Sequence, residues 1–127
     1  MFLKFPILSI SLYISMVAVC AQTHQKIDSL LIVVITSDID TNLVDNYEKI
    51  TKLYLKVQLD SAKVYAQKMI NLSKQLGYDK GLAMGNNWLG EACLWQGQPN
   101  LAIHHFKKTN EIFGKAGKST MWAHLYR

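Results

Sequence analysis

After residue 22 the apolar side chains recur at spacings of three and four. No stretch keeps the alternation in twos, punctuated by turn residues, that a half-buried strand requires. The pattern predicts an all-α fold. A first short stripe, Ile27, Leu30, Leu31 and Val34, ends at the turn-prone Ser37-Asp38-Ile39-Asp40, and its stretch 30–35 also fits a strand. A second stripe, Leu43/Val44, Tyr47, Ile50/Thr51, Tyr54 and Val57, starts from a Thr41 or Asn42 cap and breaks near Gln58. Asp60 or Ser61 is expected to cap a third helix, whose stripe of Ala62, Tyr65/Ala66, Met69, Leu72/Ser73 and Leu76 stops at Gly77, where a left-handed residue is needed. A fourth helix, capped by Asp79, carries Leu82, Gly85, Leu89, Ala92/Cys93 and Gln96 and ends at Gly97. Pro99 falls in the first turn of a fifth, where its missing N–H costs nothing; Ala102/Ile103, Phe106, Thr109/Asn110 and Phe113 follow. Gly114 and Gly117 open a turn before a sixth segment, residues 119–127.

The first twenty-one residues follow a different rule. One charge, Lys4, precedes an uncharged apolar run over residues 5–19, and small residues surround Cys20 and Ala21, the organisation of a secretory signal peptide. Fifteen residues make about 22 Å of helix, whereas a bilayer takes about 20 residues to span, so removal after Ala21 is expected in preference to permanent insertion. The alternative is lipoprotein processing at Cys20, but the box Val17-Ala18-Val19-Cys20 has Val where a smaller residue is usual. Residues 22–42 then form an N-terminal helix and turn, with the chain exported to the periplasm or secreted. Export leaves Cys93 as the one mature cysteine, which excludes an intrachain disulfide and makes Cys93 a small core residue.

Composition narrows the class without changing it. With 127 residues, 50% hydrophobic and 18% charged, the chain has room for one small domain. A net charge of +5 is scattered too evenly for a nucleic-acid footprint. It is also uneven along the chain: residues 22–60 hold four lysines against six acids, while residues 61–127 hold nine bases against three acids. The basic half reads as a solvated helical surface more readily than as a device for steering an acidic partner.

Laying residues 61–87 over 101–127 pairs Ala62 with Ala102, Lys68 with Lys108, Gly77 with Gly117 and Ala83 with Ala123, and the apolar stripes fall in step. A period near forty made of two helices marks a helical solenoid. Residues 87–93, Asn-Trp-Leu-Gly-Glu-Ala-Cys, then Gln96-Gly97, Leu101-Ala102-Ile103 and Phe106, resemble one whole unit of the tetratricopeptide repeat in its longer form. Leu89, Gly90, Gly97, Ala102 and Phe106 match its landmarks. Cys93, Thr109 and Asn86 depart from them, and Val57 stands where the preceding hairpin should have Gly. The resemblance covers 43–127 as about two and a half repeats, 43–77, 83–117 and a part from 118. It implies an α-helical hairpin solenoid in which the Leu-Gly pair permits close approach of helices and Ala102 accepts a neighbouring helix. Signal peptide, short helix and repeats in that order also resemble the exported N-terminal regions of signal-transducing proteins from Bacteroidetes-type bacteria. On that basis the chain is expected to be the N-terminal part of something longer.

Catalytic signatures are missing from this pattern. Residues 114–120 imitate a phosphate loop, but Ile112 occupies the place of its first Gly and a helical stripe that of its strand. His104 and His105 are adjacent and point about 100° apart, so they cannot share a metal as i, i+4 histidines do. No enzyme activity, cofactor or metal is expected. What remains is surface: in tetratricopeptide repeats one side of each first helix lines a concave groove. The resemblance places Met84, Asn87, Glu91 and Leu94 there, with Val44, Tyr47, Thr51 and Tyr54 forty residues earlier and His124 and Arg127 forty later. The expected partner is a protein or peptide, not nucleic acid. Membrane contact is expected only through a downstream segment or a lipid on Cys20. The function expected is peptide binding as the sensing part of a signal-transduction protein; a free periplasmic scaffold and a secreted enzyme built on repeats are the alternatives.

Overall fold

The computed structural model describes residues 4–115, with side chains from residue 7. Every regular element among them is an α-helix: α1 (Lys4–Thr36), α2 (Thr41–Tyr54), α3 (Leu59–Leu76), α4 (Asp79–Trp95) and α5 (Pro99–Lys115). Each packs on the next in chain order, and α2 also touches α4. The expected sixth segment, and with it Arg127, His124 and the offset pairs Gly77/Gly117 and Ala83/Ala123, lies outside the described residues.

Turn chemistry explains three of the boundaries. Gly77 and Gly97 sit at φ 62° and 74°, in the left-handed region that side chains with a Cβ avoid. In both places the next amide reaches back to the helix: Tyr78 N–H donates to the Ser73 carbonyl at 2.8 Å, and Gln98 N–H to that of Cys93 at 2.9 Å. Pro99 is the first residue of α5, as its fixed φ favours. The α2–α3 hairpin has no glycine and needs none. Leu55 stays right-handed, Gln58 N–H bonds the Tyr54 carbonyl at 2.7 Å, and Gln58 then turns extended.

The helix starts differ from expectation by a residue or two. Asp40, not Thr41 or Asn42, caps α2: its carboxylate accepts the Leu43 N–H at 3.0 Å and the Asn42 side-chain amide at 2.9 Å, and these bonds hold its pKa below the ordinary value. For α3 and α4 the flanking residues are Gln58 and Tyr78, without side-chain caps, so Asp60, Ser61 and Asp79 lie inside the helices. There the charges of Asp60 and Asp79 still favour the first turn. The N-terminal reading changes most. The apolar N-terminal run and the first stripe form one helix without a break at Ala21, and 30–35 is helical, not a strand.

The core follows the predicted stripes for the most part, but Ile70 of α3 and Ala83 and Met84 of α4 are buried off them. Val44, Met69, Ala83, Met84 and Phe113 bring four helices into one cluster, while Ala66, Ile70 and Leu89 form a second. Ala62 and Ala102, forty residues apart, are both buried, as is Cys93. Helices close where side chains are absent: a Cβ on Gly90 would lie 2.6 Å from the Phe106 ring, and one on Gly81 would meet Val44 at 2.7 Å.

Candidate functional site

The residues expected to line one trough divide three ways. Thr51 (0% exposed) and Met84 are core residues, as is Val44, and this corrects their placement on an open surface. Thr51 Oγ1 donates to the Tyr47 carbonyl at 2.7 Å and lies 4.0 Å from Met69 Sδ, while Met84 packs in the larger cluster. Tyr47 and Tyr54 turn towards α3 and stand against Tyr65, with ring centroids 5.9 and 5.5 Å away. Lys68 lies 4.8 Å above the Tyr65 ring. Partial burial pushes the Tyr65 hydroxyl pKa up, and the two neighbouring tyrosines add to it. Asn87 and Glu91 are half-buried and Leu94 is exposed, so these three keep to the open side of α4.

Between α2 and α4 the open strip lies one position further along each helix than expected. Trp88 Nε1–H donates to Glu48 Oε1 at 3.1 Å across exactly the repeat distance of forty residues. The same oxygen accepts Lys52 Nζ at 3.2 Å, and that ammonium sits 5.1 Å from the Trp88 ring centroid. Beyond this trio an open cleft of about 820 Å³ is lined by Leu55, Lys56, Val57, Leu59 and Trp95, with Trp95 72% exposed. Glu48, Lys52 and Leu55 are spaced to share a face of α2, as are Trp88 and Trp95 on α4, and 48/88 and 55/95 keep the forty-residue offset. That coincidence is the signal in the sequence that the reading of the stripes passed over.

Two other clefts flank this one. Between α1 and α2, about 660 Å³ is lined by Gln22, Lys26, Ser29, Lys49, Lys52 and Lys56. Among α3, α4 and α5, about 330 Å³ is lined by Gln67, Lys74, Asn86, His105, Lys108 and Glu111. Asn86 donates to the Leu82 carbonyl at 2.9 Å, and its Oδ1 lies 3.4 Å from His105 Nδ1. Among the described residues no three His, Cys, Asp or Glu side chains gather as metal ligands would. Of the phosphate-loop imitation only Gly114 and Lys115 are described.

His105 carries a pH prediction. Burial holds its pKa below the ordinary 6.5, and the neighbouring charges of His104, Lys108 and Lys63 lower it further. Above that value both the folded and unfolded chains hold it neutral. Below it the unfolded chain takes up the proton first, so stability is lost as the pH falls. The urea midpoint of the native chain should therefore drop more than that of His105→Gln between about pH 7.5 and pH 5.5. Equal drops would mean that His105 has no part in it.

No protein-family model matches this chain, and neither a curated protein nor a solved structure is similar enough to it to count as a match.

Proposed function

We propose that this chain is a non-catalytic module of the tetratricopeptide type that binds an extended peptide, and that it serves as the exported sensing part of a signal-transduction protein. The N-terminal helix is long and apolar enough to cross a membrane by length and composition, as a signal sequence or a membrane span is, which agrees with export. One observation carries the binding reading. Two tryptophans seven residues apart on α4, forty residues after Glu48 and Leu55, line an open cleft together with Lys52 of α2 and Lys56 of the turn that follows it. Tryptophans supply large contact areas at little entropic cost, and lysines beside them suit a peptide with acidic and apolar side chains.

Selection of a displayed random-peptide library on the full chain tests the reading. Enriched peptides should combine acidic with apolar residues, and Trp95→Ala should weaken their binding by about tenfold or more. Trp95 is exposed, so the same change should move folding stability by no more than about 0.5 kcal/mol. Failure to enrich any peptide, or binding indifferent to Trp95→Ala, contradicts the reading.

A further inference from the structure

The two halves of α1 differ in surroundings. From residue 7 to residue 22 every side chain is exposed, Ile7, Leu12, Ile14 and Met16 among them, whereas Ile27 is 2% exposed and Val34 packs on the larger core cluster. A single uninterrupted helix joins them, so the apolar half leaves the helical stack at an angle set by the packing of the other half. Between Lys4 and Lys26 lie twenty-one uncharged residues. At 1.5 Å each they make about 31 Å, matching a hydrocarbon thickness of about 30 Å. The run 5–19, uncharged but with three serines, falls short of that length; the helix becomes long enough through residues 20–25, of which 22–25 are polar and uncharged.

Where this rod leaves the stack, the α1–α2 cleft collects Lys26, Lys49, Lys52 and Lys56. These are all four lysines of residues 22–60, and no carboxylate lines the cleft. Among the described residues Lys26, Lys49 and Lys56 have no ion-pair partner, while Lys52 is shared with Glu48. Lys49 and Lys52, three residues apart, share a face of α2, and Lys56 reaches the same cleft from the turn that follows the helix. Like charges brought together at the foot of an apolar helix repel one another, and a negatively charged surface beside that helix offsets the repulsion.

We infer that the apolar half of α1 is retained in a bilayer and that these four lysines hold the phosphates of anionic lipids, seating the stack on the membrane surface. Long lysine side chains reach headgroups from such a position, and each is worth about fivefold in surface affinity. Lys52 and Lys56 line both clefts, so what separates this inference from the peptide-binding reading is Lys26 and Lys49, which line the α1–α2 cleft alone.

The test uses the full chain reconstituted into vesicles of phosphatidylcholine alone or mixed with phosphatidylglycerol. A membrane-impermeant acylating reagent is applied and each lysine is followed by peptide mass spectrometry. Relative to the exposed Lys80 and Lys107, the residues Lys26, Lys49 and Lys56 should react several-fold more slowly in the anionic vesicles, and high salt should erase the difference. The double variant Lys26→Gln/Lys49→Gln should return Lys56 to its rate in neutral vesicles with unchanged circular dichroism. Three results would overturn the inference: equal rates in both vesicles, equal protection by inorganic phosphate in neutral vesicles, or release of the chain from vesicles by alkaline carbonate.

Discussion

Truncating Met69 to alanine is expected to destabilise the fold by about 2–5 kcal/mol, a large part of the 5–15 kcal/mol that holds a small domain together. Met69 is 1% exposed and lies in the cluster that joins Leu43 and Val44 of α2, Leu72 of α3, Ala83 and Met84 of α4 and Phe113 of α5. Removing its thioether and methyl group leaves a cavity in the cluster that four helices share. Thr51 Oγ1 also loses the sulfur beside it but keeps its bond to the Tyr47 carbonyl, so no buried polar group is orphaned and the loss is one of packing. Urea unfolding followed by circular dichroism measures the change. Met69→Leu, which nearly conserves volume, should cost less than about 1.5 kcal/mol. If the alanine variant matched that value, the four helices would not share one core.

Gly85→Val should cost about 3 kcal/mol by the same measurement, because the space a side chain would need is already filled by α3. A Cβ at Gly85 would lie 2.7 Å from Ile70 Cγ1, 3.2 Å from the Ala66 carbonyl oxygen and 3.3 Å from the Ile70 amide nitrogen. The first neighbour can change rotamer. The other two are backbone atoms of a helix and yield only if α3 and α4 separate. Replacing glycine by alanine inside a helix ordinarily gains about 0.5–1 kcal/mol, and Gly114, which has nothing within 4 Å of its would-be Cβ, should show that gain. Gly85→Ala should therefore lose stability where Gly114→Ala gains it. A gain at both would mean that α3 and α4 are further apart than described here.

Much of the architecture was legible in local chemistry. Periodicity in threes and fours located α2 to α5, Gly77 and Gly97 marked two stops, and Pro99 marked a start. Leu89, Ala102 and Cys93 are buried as their positions in the stripes require. Cap positions were less legible, because α3 and α4 start after Gln58 and Tyr78 without any side-chain cap bond, so the cap-type residues Asp60, Ser61 and Asp79 did not mark the starts. The open strip between α2 and α4 was read one residue out. Successive residues on a helix stand about 100° apart, and a stripe that packs on two neighbours can be rotated by that much without altering its period. Tyr47 and Tyr54 thus went to the α3 side and Trp88 to the α2–α4 strip.

The amino-acid sequence by itself determined the helical class, the order of the later helices and many of the residues they bury, since these depend on spacing and on the backbone preferences of Gly and Pro. Tertiary structure alone decided the roll of each helix against its two neighbours, the contact between Glu48 and Trp88, and the joining of the apolar N-terminal run to the first stripe in one rod. It also gathered the four lysines of a net-acidic segment into a cleft without carboxylates. A sum of charge along a chain has no direction, whereas packed helices give every side chain one.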